Sequence, residues 1–202
     1  MEHAISLAHR LLDHFAIRLS RLFLYFGGLE FHRLSLCKSR FGWYDLLPVW
    51  KLVLALCPHM DEILVLTVDL SPLFNEFSGI MKSTMGDLSS PLSTPSSTSS
   101  SVTPGCKTLQ SLQNSILHVL RQIRHHFDSV ISLSRPPAIS VSSSSSIDQT
   151  IALFFSTWLD HVTSVFDDLS DLIQAMDTVF SAAQDVSSAT LYVHATHATT
   201  RS

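Results

Sequence analysis

Histidine is the residue type in this chain that most directly suggests metal or proton chemistry, because the sequence contains 11 of them. His59 lies three residues before Glu62, which is a usable ligand spacing on a helix. A zinc site, however, needs three or four ligands together, and the His-Glu-x-x-His pattern of zinc hydrolases does not occur. The adjacent His125 and His126 would point in divergent directions on a helix. We therefore expect exposed or packed histidines and no metal site.

Signatures of covalent catalysis and of cofactor binding do not occur in the sequence. There is no G-x-S-x-G elbow, no P-loop and no dinucleotide-binding fingerprint. The pair Gly27-Gly28 follows a helical pattern and does not open one. The serines cluster in low-complexity stretches, where no neighbouring side chain would be held beside them as a base. The sequence therefore predicts a protein that is not an enzyme and that has no cofactor.

Four Ser/Thr-Pro dipeptides are candidate phosphorylation sites. Their acceptor residues are Ser71, Ser90, Thr94 and Thr103. Three of them fall in a flexible segment, where a kinase that recognises proline after the acceptor could reach them. Each phosphate would add a charge of about −2 and could dock the segment on Arg121 and Arg124. Alternatively, Ser and Pro occur together there only because linkers are rich in both.

Aspartate dominates the charge of the last third of the chain. Residues 136–202 contain seven Asp against one cation, Arg201, and so carry a net charge of −6. Five of these carboxylates are expected to form a partner-binding acidic face: Asp160, Asp167, Asp168, Asp171 and Asp177. Such a face favours a protein with a basic surface and disfavours nucleic acid, whose phosphates need clustered cations. The alternative is an ordinary solvated face of a bundle helix.

Helices must position these residues, because the apolar residues follow a helical period. From Ile151 to Val186 they advance in steps of four and three, as in a coiled-coil seam, with no Pro or Gly between. The apolar stripe covers three heptad positions, so more than one neighbouring helix must pack against it. We expect this last helix over residues 147–187 and a shorter one over residues 107–133.

The first part of the chain contains the same spacing in shorter runs. Residues 3–26 are expected to form a helix that ends at Gly27-Gly28. A second helix is expected over residues 43–57, where Pro58 would end it, and a third helical unit over residues 59–82.

The third unit contains a second proline, Pro72, where we expect a kink or a restart of the helix. Because the apolar run is short, a strand over residues 63–70 is an alternative for its first half.

These patterns predict an all-α fold, namely a helical bundle of four to five amphipathic helices joined by Ser/Thr-rich disordered linkers. Residues 1–82 would form its N-terminal part. Residues 107–187 would add a C-terminal helical hairpin with a Ser-rich loop at 134–147. Residues 83–106 are expected to be a flexible linker, because they cannot bury enough apolar surface to offset their ordering entropy. Residues 188–202 would be a frayed tail.

The function that the sequence favours is protein–protein interaction, as an adaptor or as a subunit of a larger assembly. Three scattered cysteines fit a reducing compartment, the cytoplasm or the nucleus. No transmembrane segment is predicted, since the longest apolar stretch is shorter than the roughly 20 residues of a span. The alternative is a membrane-surface or mitochondrially imported protein that uses the amphipathic helix 3–26. Burial of the apolar face of that helix in the fold would argue against the alternative.

Overall fold

The protein consists of four helices in the computed structural model, which describes residues 1–40, 47–89, 104–135 and 146–199. Side chains are described for residues 1–27, 51–84, 108–135, 153 and 155–185. The helices are α1 (Glu2–Arg40), α2 (Leu47–Ser89), α3 (Pro104–Ser134) and α4 (Ser146–Thr199). This architecture confirms the all-α prediction, and the alternative of a strand over residues 63–70 is wrong, because these residues lie inside α2.

The helices form a bundle in which each helix packs on the next and α4 returns to α1. The closest packing is between α2 and α3 and between α1 and α4, whereas α1 and α2 approach each other least closely of the neighbouring pairs. His9 near the start of α1 contacts Phe74 and Ser78 towards the end of α2. Tyr25 of α1 contacts Trp158 near the start of α4. Both neighbours of α1 therefore run antiparallel to it.

A single core runs through the bundle, and the predicted seams line it. In α1 the buried side chains are Ile5, Ala8, Leu12, Phe15, Leu19, Leu22 and Phe26. In α4 the apolar period from Ile151 to Val186 predicts a buried face, and four of its members are at most 1% exposed: Trp158, Leu169, Leu172 and Met176. Ring contacts between diagonally opposite helices close the core, since Phe15 contacts Phe127 and Phe77 contacts Phe180.

One buried polar contact ties α4 to the end of α3. The indole Nε1 of Trp158 donates a hydrogen bond of 2.8 Å to the hydroxyl of Ser134. That hydroxyl donates in turn to the carbonyl of Val130 at 2.6 Å. Because every polar hydrogen of this pair has an acceptor, the large Trp158 side chain is buried without leaving its N–H unsatisfied.

The expectation that Pro58 ends a helix is wrong, because α2 continues through both Pro58 and Pro72. An interior proline costs about 3 kcal/mol through its missing N–H and its clash with the preceding turn. Both prolines lie on the exposed side of α2, where water can solvate the carbonyls that lose a donor. On the opposite side, each proline is bracketed by buried residues: Leu56 and Met60, and Leu70 and Phe74. This burial holds the two flanking turns in one helix.

The other predicted boundaries also lie inside helices. The first helix does not end at Gly27-Gly28, because α1 continues to Arg40. A Cβ added at Gly27 would meet no atom within 4 Å, so Gly27 is neither at a close approach nor in a sharp turn. An interior glycine costs only about 1 kcal/mol, which flanking burial can offset.

Helices also extend into both ends of the predicted linker at residues 83–106 and into the predicted tail at 188–202. The second helix ends at Ser89, the third begins at Pro104, and the fourth continues to Thr199. The middle of the linker and most of the Ser-rich loop at 134–147 lie outside the described residues.

Candidate functional site

The carboxylates of α4 do not all share one face. Asp160, Asp167 and Asp171 are exposed and lie within about 20° of one line along the helix at 100° per residue. Asp185 is exposed on the same line and was not predicted, because it lies about two turns beyond the densest group of aspartates. We call these four residues the acidic column. Asp177 is also exposed, but it lies about 100° away from the line.

Asp168 is turned towards α1 and has partners within this chain. Nε of Arg18 lies 3.1 Å from Oδ2 of Asp168, and Nε2 of His14 lies 3.8 Å from Oδ1. Arg18 also donates a hydrogen bond to the hydroxyl of Ser164. The Oδ2 atom is buried and accepts no hydrogen bond of good geometry from any described residue, so its contact with Arg18 is chiefly ionic. The Asp168 carboxylate is therefore engaged inside the bundle, unlike the acidic column.

A groove lies beside this ion pair, where α1 and α4 run antiparallel. Its volume is about 350 Å³. It is lined by Arg18, Arg21, Leu22, Tyr25, His161 and Val165, and we call it the arginine groove. The ring of Tyr25 stacks on that of Trp158 with 9° between their planes and contacts the ring of His161 at 4.7 Å. The groove was not predicted, although Arg18, Arg21 and Tyr25 are spaced three and four residues apart, which places them on one helix face.

Two histidines meet between α2 and α3. Nδ1 of His59 lies 3.1 Å from Nδ1 of His126. Burial lowers the pKa of His126, and the nearby His59 imidazole lowers it further, while Glu62 partly opposes them. Burial also lowers the pKa of His9, with Lys82 adding to the shift. Among the residues with described positions, no three metal-ligating side chains come together.

Exposed aliphatic side chains lie on the outer faces of the neighbouring helices α1 and α2, away from their buried seams. The most exposed are Leu24 of α1 at 76%, and Leu54 and Val68 of α2 at 69% and 65%. With the less exposed members they make up what we call the aliphatic surface: Ile17, Leu24, Leu54, Leu64, Val65 and Val68. These residues were not predicted, because the helical period that identifies the core assigns no role to apolar residues outside it.

Contacts at the other end of the helix pair give the axial level of these side chains on the two helices. His9 is level with Phe74 and Ser78 across the α1–α2 contact. Ile17 lies eight residues after His9 in α1, and Val68 lies eight residues before the midpoint of Phe74 and Ser78 in α2. Eight residues of helix rise by about 12 Å, so Ile17 and Val68 lie at the same level along the bundle. Leu24 is likewise level with the turn that precedes Leu64. Asp61, Asp69 and Glu76 are exposed on the same helix and border this surface.

Only one of the candidate phosphorylation sites lies among the described residues. Ser71 is exposed, but it lies in the interior of α2. Ser90, Thr94 and Thr103 lie outside the described residues. The proposed docking partners Arg121 and Arg124 are about 26 and 30 Å along α3 from its start at Pro104. Arg124 also lies 5.8 Å from the ring of Phe166 of α4.

No family model, curated protein or solved structure matches this chain in comparison searches. In the described part of the chain, none of the helices has an apolar stretch long enough to cross a membrane.

Proposed function

We propose that this chain is a non-enzymatic interaction module that binds another protein through the aliphatic surface, as an adaptor or as a subunit of a larger assembly in the cytoplasm or nucleus. The observation that carries the proposal is the exposure of six aliphatic side chains on the outer faces of two neighbouring helices, α1 and α2, although the bundle buries its seams. Contiguous exposed apolar patches mark binding surfaces, since water contact with them is unfavourable.

The partner that best fits this surface is an amphipathic helix with basic flanks. A helix docked along α1 and α2 would cover the aliphatic side chains of both, and an amphipathic helix buries its apolar face in this way. Asp61, Asp69 and Glu76 border this surface on α2, Arg21 lies between Ile17 and Leu24 on α1, and the acidic column adds carboxylates on another face of the bundle. The carboxylates outnumber the arginine and would attract a basic protein and disfavour an acidic one.

Two backbone carbonyls on the aliphatic surface support a partner that carries donor side chains. Because Pro58 and Pro72 have no N–H, the carbonyls of Leu54 and Val68 lose their usual helical donor. A Lys, Arg or Ser side chain of a docked helix could donate to them. The two carbonyls are about 21 Å apart along α2, which is about four helical turns.

The membrane-surface alternative has less support. It relies on the apolar face of helix 3–26, and that face forms part of the core, with Ile5, Phe15 and Leu19 at most 1% exposed. An amphipathic helix binds a membrane by burying its apolar face among the lipids. To do so, α1 would have to leave the bundle.

Charged substitutions on the aliphatic surface test the proposal. Proteins captured from a cell extract by the wild-type chain are identified by cross-linking and mass spectrometry. Leu24→Glu and Val68→Glu should each abolish the capture of the same partner, because each buries a charge in an apolar contact. The matched control is Leu153→Glu. Leu153 is 68% exposed and lies on α4, outside the aliphatic surface. Loss of the partner in all three variants alike, or in none, contradicts the proposal.

The acidic column has its own test. Charge reversal at Asp160, Asp167 and Asp171 should slow association and flatten its dependence on salt. Asp168 is left unchanged, because its reversal would break the pair with Arg18. Unchanged association rates would assign these carboxylates to a solvated face. Binding of acidic lipid vesicles by wild type, with the backbone amides of α1 losing protection from hydrogen exchange when vesicles are added, would instead favour the membrane-surface alternative.

Regulation by proline-directed phosphorylation is a further part of this proposal. Ser90, Thr94 and Thr103 are the acceptors, and their phosphates would add negative charge beside a module that favours basic partners. Ser71 lies inside α2, so α2 would have to unfold locally before Ser71 could bind in the active site of a kinase. Phosphomimetic Glu at the three sites should change partner affinity. Identical affinities for the variant and the wild type would count against such regulation.

A further inference from the structure

The arginine groove brings several hydrogen-bond donors to one place. Arg18, Arg21 and Tyr25 are spaced three and four residues apart and so share one face of α1. His161 and Val165 contribute from the facing turn of α4. The groove floor is apolar, since Leu22 and Val165 are 3% and 4% exposed. A groove with cations and a hydroxyl above an apolar floor is suited to a ligand with an anionic end and a carbon body.

Most of these donors are available to a ligand. Within the described part of the chain, the guanidinium of Arg21, the hydroxyl of Tyr25 and the imidazole nitrogens of His161 have no hydrogen-bond or ion-pair partner. The Tyr25 ring is held between the rings of Trp158 and His161, so its position is set before a ligand arrives. Such preorganisation reduces the entropy lost on binding.

Arg18 is already paired with a carboxylate of this chain, so a ligand must compete with that carboxylate for the guanidinium. The Asp168 carboxylate contacts Nε of Arg18, while other N–H groups of the guanidinium remain. The acidic column on α4 also opposes a general accumulation of anions. A ligand must therefore be held by local donors. A dianion with three terminal oxygens uses two guanidinium groups, a hydroxyl and an imidazole better than a carboxylate with two oxygens does.

We propose that the arginine groove binds a phosphate monoester that carries a small apolar or aromatic group. Arg21, Arg18, Tyr25 and His161 would donate to the phosphate, and Leu22 and Val165 would contact the organic part. The volume of about 350 Å³ is enough for a group of this size. On α1 the groove borders the aliphatic surface, because Arg21 lies four residues after Ile17 and three before Leu24. The proposal depends on the polar groups of the groove and not on the aliphatic side chains.

Calorimetric titration of the full chain at constant ionic strength tests the assignment, with inorganic phosphate and phenyl phosphate as probes. Phenyl phosphate should bind at one saturable site and at least about tenfold more tightly than inorganic phosphate. Arg21→Gln should weaken binding at least about tenfold, which is the loss of about 1.4 kcal/mol. The matched control, Arg121→Gln, removes an exposed arginine on α3 and should leave binding unchanged. Absence of saturable binding, or an equal loss in both variants, overturns the proposal.

A second variant should change the affinity for phenyl phosphate in the opposite direction. Asp168→Asn removes the internal anion that competes for Arg18, so it should bind phenyl phosphate more tightly than wild type, provided circular dichroism shows it folded. An unchanged or weaker affinity overturns the assignment of Arg18 to the site. Vesicles containing phosphatidic acid distinguish the source of the phosphate monoester. Arg21-dependent vesicle binding assigns the site to a lipid headgroup, and binding of phenyl phosphate alone assigns it to a free small molecule.

Discussion

At the scale of single residues, the lowered pKa of His126 links the contact between α2 and α3 to pH. A distance of 3.1 Å between Nδ1 of His59 and Nδ1 of His126 leaves room for one hydrogen between them. One ring must therefore donate and the other accept, and the two rings cannot both be charged in this arrangement without repulsion. Glu62 lies close enough to His126 to oppose its shift, but burial and His59 outweigh it.

We expect acid to destabilise the fold through His126. Its pKa in the folded state lies below the ordinary 6.5, so its neutral form is the one that stabilises the fold. This contribution is complete above pH 6.5 and is lost as the pH falls through 6.5 towards the folded-state pKa. His126→Gln should therefore lose less unfolding free energy than wild type between neutral pH and pH 5, measured by urea denaturation.

His118→Gln is the control for this measurement, because His118 is an exposed histidine on the same helix. It should follow the wild-type pH dependence. His9, whose pKa is also lowered, adds a contribution of the same sign in all three proteins. If His126→Gln and wild type lose the same free energy on acidification, the histidine pair does not carry this effect.

Side-chain pairs of this kind explain why the candidate sites were only partly predictable. The helical period places Asp160, Asp167 and Asp171 on an outer line, and they are exposed as the period requires. The same period places Asp168 one residue further round the helix, but its partner Arg18 is 150 positions earlier in the chain. Spacing within one helix contains no information about which other helix lies beside it.

At the scale of elements, the second helix departs most from expectation. Local rules favour a break at Pro58 and at Pro72, since each removes a hydrogen bond. These local rules do not take account of the turns on either side of each proline, which are buried because α2 packs against α1 and α3. Apolar periodicity predicted which faces are buried, whereas helix ends at Gly27 and Pro58 were predicted wrongly because tertiary packing overrides local propensity.

Replacing Pro72 with alanine should stabilise the protein if α2 is continuous. Pro72→Ala restores a helical N–H in an exposed position, and the gain in unfolding free energy should be about 1–3 kcal/mol after the added freedom of the unfolded chain is subtracted. Pro104→Ala is the matched control, because Pro104 is the first residue of α3, where proline is well tolerated. If the helix instead restarts at Pro72, Pro72→Ala and Pro104→Ala should change the unfolding free energy by the same small amount.

At the scale of the whole molecule, the four seams should stabilise the bundle as one unit. Leu169 is fully buried, so Leu169→Ala should lower the unfolding free energy by about 2–5 kcal/mol. Leu153→Ala changes an exposed leucine of the same helix and should cost less than about 0.5 kcal/mol. Chemical denaturation followed by circular dichroism measures both. An equal loss of unfolding free energy in the two variants would contradict the burial of Leu169 and the exposure of Leu153.

The return of α4 to α1 has a consequence for the order of folding. The contact between Arg18 and Ser164 joins residues 146 positions apart, whereas that between His59 and His126 joins residues 67 apart. Closing the longer loop costs more chain entropy unless the helices between have already docked. We therefore expect α2 and α3 to be paired in the folding transition state and α1 to dock on α4 after it. Substitutions between α1 and α4 should then speed unfolding and leave the folding rate almost unchanged.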